Sequence, residues 1–186
     1  MPALTTPICD FGWKAPEFKL MGTDNELHSL ADVSGINGTL VMFICNHCPY
    51  VKSVIHRIVE DCKILQENGI GVIAVMSNDV NDSKYGHEDS FDNMKLFYEK
   101  NNFSFPYVYD ESQDVGKRYD AVCTPDFFGF NNKNELQYRG RLESSQQELI
   151  PNAPKELLEA MLLVAKTGNG PKDQIPSIGC SIKWKV

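Results

Sequence analysis

Apolar residues form two unbroken runs, Leu40-Val41-Met42-Phe43-Ile44 and Ile70-Gly71-Val72-Ile73-Ala74-Val75-Met76. Runs of this length read as strands buried on both faces. Between them Val51, Val54, Ile55, Ile58, Val59, Cys62 and Leu65 recur at helical spacing, starting after Pro49 and stopping at Asn68-Gly69. A strand-helix-strand unit implies a parallel pair with a right-handed crossover. Upstream, Glu17-Phe18-Lys19-Leu20 alternates, Gly22-Thr23-Asp24-Asn25 turns, and Glu26 to Leu30 returns, which predicts an N-terminal hairpin. Downstream come a polar loop from Ser77 to Ser90 and a helix bearing Phe91, Met94, Leu96, Phe97 and Tyr98. A short strand, Phe105 to Tyr109, and a short helix, Ser112 to Tyr119, follow. Phe127 to Phe130 and Leu136 to Gly140 predict a second hairpin, and Leu157, Leu158, Met161, Leu162 and Ala165 a last helix closing at Gly168. The natural closure is an α/β domain: a central mixed β-sheet flanked by helices. Residues 1–168 are expected to form this domain, and the Gly/Pro-rich tail, 169–186, to pack on it as a C-terminal extension.

The bulk numbers narrow the function. With 186 residues, 42% hydrophobic and 23% charged, the chain suits one globular domain with a real core. A net charge of −7 argues against nucleic-acid and anionic-membrane partners. The start, Met1-Pro2-Ala3-Leu4-Thr5-Thr6-Pro7, lacks a basic segment and an apolar core, so a cytoplasmic location is expected. Persistent structural disulfides are uncommon there, and a Cys-x-x-Cys then means metal or redox chemistry.

That pair is Cys45 and Cys48, in Cys45-Asn46-His47-Cys48-Pro49. Proline is tolerated in a helix only in the first turn, so Cys45 is expected at or near the N-cap and Cys48 within the first turn. Unpaired amides there stabilise a thiolate. His47, between the thiols, would tune them as an imidazolium. Structural zinc is the rival, but it needs four Cys or His ligands, usually in two tight pairs. Cys9, Cys62, Cys123 and Cys180 are scattered singles. No metal and no organic cofactor is expected.

The strand, the Cys-x-x-Cys at a helix start and the later Cys123-Thr124-Pro125-Asp126 together resemble the thioredoxin fold. Ala15-Pro16-Glu17-Phe18-Lys19-Leu20 with its turn and Leu27-His28-Ser29-Leu30 resembles the N-terminal hairpin of the alkyl hydroperoxide reductase/thiol-specific antioxidant branch. The motif Cys-Asn-His-Cys-Pro and the ending Pro176-Ser177-Ile178-Gly179-Cys180-Ser181-Ile182-Lys183-Trp184-Lys185 are similar to a peroxiredoxin-like group within it. The resemblance implies a cis peptide at Thr124-Pro125, facing the thiols and leaving the Thr124 backbone to dock a substrate strand. It implies thiol–disulfide oxidoreductase activity, with Cys45 as nucleophile and Cys48 as the more buried resolving thiol. The alternative is thiol peroxidase activity through Cys48. Peroxiredoxins carry Pro-x-x-x-Thr-x-x-Cys, however, and here Val41 and Cys45 replace the Pro and the Thr. Arg118, Arg139 and Arg141 are candidates for a peroxide-orienting cation. Partners would be protein or small-molecule disulfides, or peroxides, with thioredoxin or glutathione as external reductant.

Cys123 and Cys180 are candidate additional redox thiols, Cys180 as a resolving thiol carried by the tail. Cys62 reads as core, and Cys9 has no assigned place. Asn78, Asp79, Tyr85 and His87 lie on a loop at the ligand-facing edge of the sheet. Asp89/Ser90 and Asp110/Ser112 read as helix caps. Trp13 is a candidate neighbour of the site.

Overall fold

The computed structural model describes residues 2–186. In chain order the elements are β1 (Ala3–Thr5), β2 (Lys19–Gly22), β3 (Leu27–Ser29), α1 (Leu30–Val33), β4 (Gly38–Phe43), α2 (Pro49–Lys52) and α3 (Ile55–Glu67). They continue as β5 (Ile70–Met76), a 3-10 turn (Gly86–Asp89), α4 (Phe91–Lys100), β6 (Tyr107–Tyr109), α5 (Asp114–Arg118), β7 (Cys123–Thr124), β8 (Asp126–Phe130), β9 (Leu136–Tyr138), α6 (Glu156–Thr167) and β10 (Ile178–Ser181).

The main sheet has seven strands in the order β3-β2-β6-β5-β4-β8-β9. β5 pairs parallel with β4 and β6, whereas β2, β3, β8 and β9 pair antiparallel. This is the mixed sheet expected from the pattern. Successive strand residues point to opposite faces. Leu40, Met42, Val72 and Ala74 therefore join the core under α3, α4 and α6. Val41, Phe43, Ile73 and Val75 join a second core with Leu30 of α1 and Val115 of α5.

Two elements differ from expectation. The single helix expected after Pro49 is broken into α2 and α3 at Val54, whose φ of −115° and ψ of 2° are not helical. Beside the break the Ser53 hydroxyl bonds the Tyr50 carbonyl three residues back, a side-chain competitor of the kind that bends helices. The other difference is β1, which has no alternation to betray it. It pairs Ala3 with Cys180 and Thr5 with Ile178, so its partner lies at the far end of the chain.

α1 crosses β5 closely enough to exclude any side chain at Gly71. A Cβ there would lie 1.7 Å from the Val33 carbonyl oxygen. Neither backbone can yield without moving the strand. Gly71→Ala is therefore expected to destabilise by at least about 1–3 kcal/mol, the usual cost of overpacking, read as a lower urea midpoint at unchanged slope. A midpoint equal to that of the parent would refute this packing.

Candidate active site

β4 delivers the chain to the thiol pair. After Phe43, Ile44 still bonds the Val75 carbonyl, and the chain then turns through Cys45-Asn46-His47. Cys48 is the N-cap of α2 and Pro49 its first residue. The N-cap thus lies three residues beyond Cys45, so Cys48, not Cys45, occupies the helix terminus. Proline sets this boundary, since its ring fits only where no amide hydrogen is needed.

The turn is held by a buried carboxylate. Asp89 Oδ1 accepts the backbone amides of Asn46 (2.9 Å) and His47 (3.3 Å). Its Oδ2 faces His47 Nδ1 at 2.6 Å and accepts from Asn78 Nδ2 at 2.8 Å. Tyr107 donates its hydroxyl to Asn46 Oδ1 at 2.9 Å, and Asn46 Nδ2 bonds the Glu88 carbonyl. Asp89 is therefore no helix cap. Ser90 alone caps α4, accepting from the Asn93 amide. Asp110 and Ser112 do serve the start of α5, accepting from Val115, Gly116 and Asp114 amides. His47 lies close to Cys45 and has partners besides it. Its Nδ1 is committed to Asp89, and its ring stacks on Tyr85 with centroids 4.7 Å apart. Ligand atoms of Cys45, His47 and Asp89 lie within 4.8 Å of one another. The carboxylate oxygens, however, are already taken by N–H groups, a role that suits a structural acceptor better than a metal ligand.

Three thiols converge at Cys48. Its Sγ lies 2.9 Å from Cys180 Sγ and 3.1 Å from the Thr124 carbonyl oxygen. It also shares a hydrogen bond with Cys45, whose own Sγ lies 3.3 Å from Thr124 Oγ1. As a thiol, Cys48 can donate to the Thr124 carbonyl. As a thiolate, it would accept from the other two sulfurs. Burial opposes its ionisation, but hydrogen bonds from Cys180, Cys45 and Thr124 outweigh that and lower its pKa to about 2. Burial, the bond to Cys48 and the Asp89 charge push Cys45 well above the ordinary thiol range. The bond to Cys48 and burial push Cys180 up as well. The acidity of Cys48 thus owes most to neighbouring thiols.

The Thr124-Pro125 peptide is cis, as the resemblance implied. Two further expectations are overturned. Exchange with a substrate disulfide implies a reachable pair, yet Cys45 and Cys48 are both 0% exposed. The Thr124 backbone was expected to be open for a substrate strand, yet β10 occupies it, with Cys180 opposite Thr124. Both have one cause: β1, β10 and β7 form a small three-stranded sheet over the thiols.

The remaining candidates fall in several places. Asn78 and Tyr85 border the site. The Asp79 amide bonds the Lys183 carbonyl, and the His87 carbonyl accepts from Asn93 Nδ2, so neither brings its side chain to the thiols through these bonds. Cys123 is buried beside Asp126, which raises its pKa further, and its Sγ lies 3.6 Å from the Pro125 carbonyl. Cys62 is core, as expected. Cys9 is half-buried, and burial pushes it to about 11. Trp13 packs on Tyr119, Phe128 and Phe130, on the other face of the sheet. Arg139 pairs with Asp126 and Arg141 with Glu156, while Arg118 bonds the Glu17 carbonyl. Asp89 and Tyr107 were missed as site residues. Asp89 ends the loop that follows β5 and Tyr107 opens β6, and neither place marks a site in the sequence.

No curated protein matches the chain. An uncharacterized conserved protein from Geobacillus kaustophilus is 41% identical, with 100% of this chain and 97% of that one covered and a TM-score of 0.92. A hypothetical protein from Sinorhizobium meliloti 1021 is 30% identical, with 98% of each chain covered and a TM-score of 0.90. The thioredoxin domain of a thiol-disulfide oxidoreductase from Bacteroides vulgatus shares the fold at 17% identity, with 69% of this chain and 86% of that one covered and a TM-score of 0.56. Residues 11–140 match the AhpC/TSA family model, and with that span of sheet, thiol pair and cis-proline loop the chain belongs to the AhpC/TSA family, on a thioredoxin-like fold.

Proposed function

We propose that the protein is a thiol–disulfide oxidoreductase whose working pair is Cys45 and Cys48. One observation carries this reading. The two thiols are both held against Thr124 of the cis-proline loop, Cys45 at its hydroxyl and Cys48 at its carbonyl. Once β10 moves off the buried pair, Cys48, the more acidic, makes the first attack on a substrate disulfide, and one substrate sulfur leaves as thiolate. Cys45 then gives up its proton, attacks the Cys48 sulfur and releases the second substrate thiol, leaving a Cys45–Cys48 disulfide. This reverses the order of attack expected from the motif. Thr124 and Pro125 position the pair rather than offering a free edge. His47, fixed by Asp89, orients the turn. Reduction of the disulfide requires an external thiol of the thioredoxin or glutathione kind. No helix among the described residues is long and apolar enough to cross a membrane.

The acidity of Cys48 also favours the second reading, a thiol peroxidase. Against it, the guanidinium groups of Arg57, Arg118, Arg139 and Arg141 make their ion pairs and hydrogen bonds away from the thiols. The two readings separate by substrate. With dithiothreitol as reductant, oxidised glutathione is expected to be turned over faster than hydrogen peroxide, and Cys45→Ser, which cannot form the Cys45–Cys48 disulfide, is expected to turn it over more slowly. Undiminished peroxide turnover by Cys45→Ser, with no disulfide reduction by the parent, would establish the peroxidase instead.

A further inference from the structure

The backbone edge suited to a substrate strand is filled by the chain itself. β10 runs antiparallel to β7, with Cys180 opposite Thr124 and Ser181 opposite Cys123. This is the register in which a docked strand would present a cysteine to the thiol pair, and the Cys180 sulfur does lie 2.9 Å from that of Cys48. The seating is close. A Cβ on Gly179 would meet the Thr124 carbonyl oxygen at 2.0 Å. Ser177 bonds the Pro125 carbonyl through its hydroxyl and Thr6 Oγ1 through its amide. Beyond the strand, the Lys183 amide bonds Asn78 Oδ1, and Asn78 also holds Asp89. Ile182 is buried in the second core. The tail is thus tied both to the cis-proline loop and to the network that shapes the thiol turn.

We propose that β10 is a built-in substrate strand and that Cys180 is a third exchanging thiol, passing through a Cys48–Cys180 disulfide. The proposal rests on the thiol-exchange reading of the site and adds a step to it. When β10 opens, the Cys48 thiolate attacks a small disulfide, RS–SR, forming Cys48–S–SR and expelling RS⁻. When β10 returns to its register, RS⁻ takes the Cys180 proton. The Cys180 thiolate attacks the Cys48 sulfur, forming Cys48–Cys180 and expelling the second RS⁻. Cys45 then loses its proton to this thiolate, attacks Cys48, and returns Cys180 as a thiolate, leaving the Cys45–Cys48 disulfide. Two protein thiols are oxidised and one RS–SR is reduced to two thiols. The Cys180 step shortens the life of the exposed mixed disulfide.

The test uses the full chain, reduced and then treated with oxidised glutathione. In Cys45→Ser, trypsin and mass spectrometry without reductant are expected to find the peptide 20–52 joined to 173–183. That linkage is expected to vanish in Cys45→Ser/Cys180→Ser, with glutathione left on Cys48. A lasting glutathione adduct with Cys180 free in Cys45→Ser would overturn the proposal. The thiol-exchange reading would still stand if Cys180→Ser formed the Cys45–Cys48 disulfide and kept turning over. A second variant tests the strand itself. Gly179→Ala forces β10 from the loop while keeping every thiol, and is expected to raise the alkylation rate of Cys48 by iodoacetamide about tenfold or more. An unchanged rate would show that β10 does not gate the site.

Discussion

Cys48→Ser is expected to abolish disulfide reduction, a fall of at least about a thousandfold, the scale of losing a group on which every step depends. Cys48 is the one sulfur in contact with both other thiols, and every bond formed or broken in the proposed cycle passes through it. A serine hydroxyl can keep the hydrogen bonds to the Thr124 carbonyl and to Cys180, so the fold is expected to survive. Its oxygen cannot exchange with a disulfide. Turnover of oxidised glutathione and thermal melting, measured on the same sample, check both halves. Retained turnover would return the first attack to Cys45.

Asp89→Ala is expected to cost about 3–5 kcal/mol, the scale seen when a buried charged partner is removed. The Asp89 carboxylate is 0% exposed and takes the amides of Asn46 and His47, the His47 ring nitrogen and the Asn78 amide. Alanine leaves these donors buried without their acceptor, and each such loss costs about 1–3 kcal/mol. Against a usual total of about 5–15 kcal/mol, the loss threatens the fold. Asp89→Asn keeps one acceptor oxygen and is expected to lose less. Urea unfolding of the three proteins decides it. Equal midpoints for the alanine variant and the parent would mean that the turn is held by something else.

Much of the sheet was legible because its strands announce themselves. β4 and β5 are continuous apolar runs, and the crossover between them leaves a helical periodicity that Pro49 begins and Asn68-Gly69 ends. The thiol pair was legible for the same reason, since a proline marks the helix start. The lid was not. Ala3-Leu4-Thr5 and Ile178-Gly179-Cys180-Ser181 are short, and neither says that they pair with each other across the length of the chain. Cys180 stood out only as a cysteine in an apolar tail. Asp89 was harder still. An aspartate before a helix start ordinarily faces solvent, and only the return of its loop to the thiol turn makes it an interior acceptor. Local pattern carries strands, helices and caps, whereas a buried polar contact depends on which loops the topology brings together.

β10 is the middle strand of a three-stranded sheet, so if it leaves alone it parts from both neighbours. Its departure would be cooperative and would strip hydrogen-bond partners from both β1 and β7 at once. An unpaired strand edge invites any extended segment to add to it. The unlatched molecule would therefore hold two vacant edges side by side, sticky for as long as the strand stays away.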